Sequence, residues 1–198
     1  MTAQWISIGI NAAIAAAVAC AWFGMRDGQG RLSAARRQSL KFFTVLSNLL
    51  MGFSSAAYVT AMSIPGDVPR AIVLLKYLAT VSVAVTFTTV MLFLGPQMGY
   101  ASLFRGANLL FHLIVPLAAI LDFILFDRSG PVFPKDAPLG VIPVMLYGTG
   151  YLLNLIFRGV EGNDWYGFAR GSRASWAAVF LVIAGGTLGI AILLSLPR

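Results

Sequence analysis

The sequence predicts an all-α membrane protein, six helices packed in one bundle, on three observations. Hydrophobic residues make up 59% of the 198 residues and charged ones only 11%, where soluble domains run near a quarter charged. The mean hydropathy is +0.84. The apolar residues also fall into six runs, each close to the ~20 residues a helix needs to cross a bilayer. No internal repeat, low-complexity tract or extramembrane domain interrupts them, so residues 1–198 are expected to form a single transmembrane domain.

The first run, residues 3–25, has no cationic leader and is too long for a cleavable signal, so it is expected to stay as a helix. Cys20 lies there among alanines, where a free thiol packs as a small hydrophobe. The second run, 42–62, ends at Pro65-Gly66, and the third, 71–95, at Gly95-Pro96. The fourth, 107–126, is closed by Gly130-Pro131 and Pro134, and the fifth, 138–157, by Gly159 and Gly162. The sixth covers 174–196. Short connections make sequence neighbours antiparallel partners.

Charge sets the topology and excludes several functions. The net charge of +7 lies between apolar spans, not on a soluble basic face, which argues against nucleic acid and for anionic phospholipid headgroups. One cysteine excludes an internal disulfide, and with one histidine it excludes a Cys/His zinc site. Neither a metal nor any other cofactor is expected. The loops after the first, third and fifth runs carry nine cations: Arg26, Arg31, Arg36, Arg37, Lys41, Arg105, Arg158, Arg170 and Arg173. The opposite side carries four: Arg70, Arg128, Lys135 and Arg198. The basic side is expected to be cytoplasmic, with both ends of the chain on the other side. Tags at either end should therefore be labelled from outside intact cells; tags reached only after permeabilisation would reverse the orientation. In loop 26–41, Leu32, Ala35, Ser39, Leu40 and Phe43 fall roughly opposite Arg31, Arg37 and Lys41. That pattern fits a short interfacial helix or a solvated basic linker.

Ionisable groups within spans are functional candidates by default. Lys76 and Asp122 lie at similar depth near the less basic side, so an ion pair is the simplest account and lysine snorkelling the alternative. Tyr147, Tyr151, Asn154 and Arg158 share one face of the fifth helix and fit either interhelical hydrogen bonding or a polar-lined cleft. His112 lies five residues into the fourth run, ~8 Å deep at the helical rise. Pro116 removes the N–H that its carbonyl would use, so a bend and local space are expected there. The imidazole fits an interhelical hydrogen bond or a general base. The segment "FFTVLSNLL" opens the second run from the same side, so Thr44 reaches the same level, with Ser47 and Asn48 about a turn further on. Thr44 fits a helix cap. It also fits a nucleophile beside first-turn N–H groups, which with the Asn48 amide could stabilise an oxyanion. Asp122 is ten residues from His112, ~15 Å along the axis, so the candidate is a dyad without a third acid.

Over nearly its whole length the chain resembles the androgen-induced and androgen-dependent six-span threonine hydrolases and their bacterial relatives. The matching elements are "FFTVLSNLL", "HLIVPLAAILDFILFD" and "YGTGYLLNLIFRG". Where bacterial relatives carry Pro-Tyr-Pro after the Trp-Tyr of the fifth loop, this chain has "NDWYGFAR". The resemblance implies intramembrane hydrolysis of fatty-acid esters of hydroxy fatty acids, with Thr44 as nucleophile, His112 as its partner and a lipid substrate drawn from the bilayer. It also implies a bacterial inner-membrane location. The rival expectations are a non-enzymatic protein that handles lipids or small solutes, and a structural or partner-binding subunit whose intramembrane polar groups only lock the helices together.

Overall fold

The computed structural model describes residues 2–24, 34–127, 129–167 and 171–196. Six helices are long and apolar enough to span a membrane: Ala3–Phe23, Phe43–Met62, Arg70–Met98, Ala107–Leu125, Pro134–Arg158 and Ser175–Ser195. The chain is an all-α, multi-pass membrane bundle, with no strand among the described residues. The third span is its axis. It packs on the second, fourth, fifth and sixth, while the first packs on the second and fourth. Its small and β-branched residues explain this, because Val73, Ala79, Val81, Val83, Ala84 and Val85 are buried around its whole circumference.

Two spans carry a single π turn, each just before a proline. Val90–Leu94 precedes Gly95-Pro96, and Leu110–Ile114, which contains His112, precedes Val115-Pro116. A proline ring collides with the carbonyl four residues back and offers no N–H. Shifting to i+5 bonding, Gly95 N–H to Val90 and Val115 N–H to Leu110, widens the turn and relieves the collision. The expected disturbance at His112 thus takes the form of a π turn. The same device carries the third helix past Gly95 to Met98. Pro143 needs no such turn and lies within the α-helix Ala137–Arg158.

The first span turns Ser7, Asn11, Ile14, Val18 and Trp22 inward, at helical spacings of three and four. Cys20 falls off that stripe and is exposed, so it faces outward and is not the core residue expected. Helix contact is close at Gly52, where an added Cβ would lie 2.7 Å from Val18 Cγ1. Gly52→Ala is expected to destabilise the bundle by about 1–3 kcal/mol through overpacking. Gly9→Ala on the first span, with nothing within 4 Å, should lower the melting temperature in detergent not at all. Equal melting of the two variants would contradict this packing.

Among its described residues the basic loop forms a short helix, Ala34–Ser39. Arg36 is buried, donates to the Ala21 carbonyl and lies over the Trp22 ring at 5.2 Å. The predicted amphipathic face ends at Ser39, because Phe42 is extended and Phe43 starts the second span. Arg31 and Leu32 lie outside the described residues.

Candidate active site

Thr44 is the second residue of its helix and does not cap it. Phe42 is the N-cap and makes no side-chain capping bond. The Phe43 N–H donates to Tyr166 Oη at 2.9 Å. The half-buried Thr44 hydroxyl makes no hydrogen bond among the described residues. One turn on, Asn48 Nδ2 donates both to the Thr44 carbonyl at 2.7 Å and to the Phe111 carbonyl at 2.9 Å. Both amide hydrogens are thereby used. Asn48 therefore ties the second span to the π turn of the fourth and has no hydrogen left for an oxyanion, contrary to expectation. Ser47 Oγ donates to the Thr44 carbonyl at 3.1 Å and lies 2.9 Å from Thr86 Oγ1.

His112 follows Phe111 and is buried. Its Nδ1 lies 2.9 Å from the Leu103 carbonyl oxygen. A carbonyl can only accept, so Nδ1 carries the hydrogen, and in the neutral ring Nε2 keeps its lone pair. Leu103 is brought there by the turn between the third and fourth spans, which Gly99 and Gly106 make at φ of 81° and 54°. Asn48 thus holds the Thr44 and Phe111 carbonyls at one level on adjoining spans, with His112 the residue after Phe111. No hydrogen bond joins the Thr44 and His112 side chains directly.

The tyrosine face of the fifth span meets a loop. Tyr147 Oη donates to the Lys41 carbonyl at 2.6 Å and its ring lies 5.1 Å from Phe43. Tyr151 stacks on Tyr147 at 6.4 Å, donates to the Asp164 carboxylate and accepts the Tyr166 N–H at 3.4 Å. Trp165 Nε1 donates to Tyr147 Oη at 3.3 Å. Residues 164–166 therefore fold back over the start of the second span. Burial pushes the Tyr166 phenol well above its ordinary range, so it stays protonated where it meets Phe43. Asn154 and Arg158 do not join this cluster. Asn154 Nδ2 is buried without a partner among the described residues, and Arg158 is exposed.

A groove of about 230 Å³ runs between the second, third and fifth spans, walled in part by Phe43, Leu46, Ser47, Ser82, Leu146 and Tyr147. Of the expected site residues, Ser47 and Tyr147 line it. Thr44, Asn48, Tyr151 and His112 lie off its wall.

At the less basic side, Lys76 and Asp122 are paired as expected. Nζ lies 2.7 Å from Asp122 Oδ2, and both side chains are fully buried. Asp127 joins at 3.3 Å, and Asn11 Nδ2 donates to Asp122 Oδ2 at 2.7 Å. Tyr58 holds its ring 3.6 Å under the ammonium and its hydroxyl 2.9 Å from Ser7 Oγ. Ser7, Asn11, Tyr58 and Asp127 were missed from sequence. The spacing of four between Ser7 and Asn11 in an apolar run was the available signal. The network locks four spans together.

Comparison of the chain with family models, with curated proteins and with solved structures gives no match.

Proposed function

We propose that the protein is an intramembrane hydrolase of fatty-acid esters, of the hydroxy-fatty-acid type, working in a bacterial inner membrane. The observation that carries the reading is the tautomer of His112. Its Nδ1–H is engaged by Leu103, which aims the basic character of the ring at Nε2, on the level of an uncommitted Thr44 hydroxyl. In the proposed reaction His112 Nε2 takes the Thr44 proton as Oγ1 attacks the ester carbonyl. The carbon–oxygen bond to the leaving alcohol breaks, His112 returns the proton to that alcohol, and an acyl-threonine remains. Water, deprotonated by His112, then attacks the acyl-threonine, releasing the acid and restoring the hydroxyl. The Thr44 N–H, without a partner among the described residues, is the first-turn donor available to the oxyanion. Asn48 holds the two spans in register for this. Chemistry within ~8 Å of the interface suits an ester whose chains lie in the bilayer.

One observation favours the second reading, a lipid-handling protein without turnover: the groove wall does not include Thr44 or His112. A fluorophosphonate probe separates the two. Hydrolase chemistry predicts one covalent adduct per chain at Thr44, formed with loss of fluoride and absent from Thr44→Ala. A folded protein that takes up no label would leave the lipid-handling reading in place.

A further inference from the structure

The groove opens onto the bilayer and not into the bundle. The second and fifth spans both lean on the third yet barely touch each other. Its lips, Leu46 and Leu146, are exposed, Leu146 at 70%, and on spanning helices such residues face hydrocarbon. The hydroxyls on its floor are already occupied: Ser47 with Thr86, and Ser82 donating to the Leu78 carbonyl at 2.8 Å. A chain lying there would leave no polar group stranded.

At the basic-side end the groove is closed by the Phe43–Tyr147 ring contact and by the Tyr147 bond to the Lys41 carbonyl. Beside that end stands the Lys41 ammonium, 5.2 Å over both the Phe42 and Trp165 rings. Lys41 is exposed and has no carboxylate partner among the described residues. Two aromatic faces hold the cation in place without neutralising it. An apolar groove ending at a cation held over two rings, with no ion pair among the described residues, complements a chain with an anion at its end. The volume of about 230 Å³, below the ~300–1,000 Å³ of pockets for drug-sized ligands, takes a segment of one chain and leaves no room for a second beside it.

The geometry points to a binding site for a single-chain anionic amphiphile, its acyl chain in the groove and its carboxylate or phosphate on Lys41. As the recognition site for the free acid end of a substrate it rests on the hydrolase reading, but binding itself needs no turnover.

The test is quenching of Trp165 fluorescence in the full-length protein, in neutral detergent, by spin-labelled stearic acid. The arms are the methyl ester of that acid, a spin-labelled lysophosphatidic acid and a spin-labelled diacyl phosphatidylglycerol. Trp165→Phe isolates the signal. At least one single-chain anion should quench saturably, about tenfold or more tighter than the uncharged ester. The tighter of the two tells a free fatty acid from a lipid headgroup. Lys41→Met should bring its affinity to that of the ester, and Lys41→Arg should restore it. Leu146→Phe, at the exposed lip, should weaken every probe without disturbing the packed floor or adding a fluorophore that the test would read. Thr44→Ala should bind as the parent does, so loss of the hydrolase reading and loss of this one are separate results. Equal quenching by acid and ester, diacyl lipid binding as tightly as the single chain, or an unaffected Lys41→Met would overturn the site.

Discussion

Lys76→Met is expected to lower the melting temperature of the detergent-solubilised protein by about 6–20 °C, the equivalent of ~3–5 kcal/mol for removing one partner of a buried pair. The reason is what remains. Without the ammonium, Asp122 keeps the Asn11 amide on Oδ2, while its Oδ1 has no partner among the described residues. Asp127 loses its 3.3 Å contact at the same time. Asp122→Asn should cost less, since Asp127 stays within reach of Lys76, whose ammonium also keeps the Tyr58 ring. The Lys76→Met, Asp122→Asn double variant should recover part of the combined loss, because the two residues interact directly. Scanning fluorimetry on all three variants decides it. Simple additivity of the single losses would remove the pair as a source of stability.

How much of this was legible in the sequence differs by residue. The six spans were legible because length and apolarity fix them against a bilayer, whatever the partners. The Lys76–Asp122 pair followed from matched depth and opposite charge, a strong constraint where water is absent. Ser7 and Asn11, four residues apart, marked a face of the first span but not what it meets, and Tyr58 was not legible, because a lone uncharged polar group on an apolar helix does not declare which side faces the bundle. Asp127 lay just outside the fourth span and gave no sign of turning back into it.

The candidate site shows the same division. The shared level of Thr44 and His112 could be counted from the residues that open the second and fourth runs. The rotation of each helix could not. Asn48 was therefore expected at the oxyanion, whereas it spends both hydrogens on the Thr44 and Phe111 carbonyls. The loop carrying "NDWYGFAR" looked like a connection. Only its fold shows Tyr166 seated on the first turn of the second span. The Leu103 carbonyl that fixes the His112 tautomer is nine residues away, and no side-chain pattern announces a backbone acceptor.

Thr44→Ala and His112→Ala are the substitutions with the largest expected effect on turnover. Removing the base should slow ester hydrolysis about 10²–10⁴-fold, and removing the nucleophile at least as much. If the two act as one unit, the double variant should be little worse than either single one, because the second loss removes nothing that still works. Thr44→Ser should keep part of the activity, since the hydroxyl remains while the methyl that restrains its rotamer is gone. His112→Ala gives up the Leu103 bond but leaves Asn48 bridging Thr44 to Phe111, so the second and fourth spans should stay in register and circular dichroism should be unchanged. The assay is hydrolysis of a long-chain hydroxy-fatty-acid ester in mixed micelles. A folded Thr44→Ala protein with near-normal turnover would sink the nucleophile assignment. Ser47 would then be the residue to change next, because its hydroxyl is on the wall of the groove where a chain would lie.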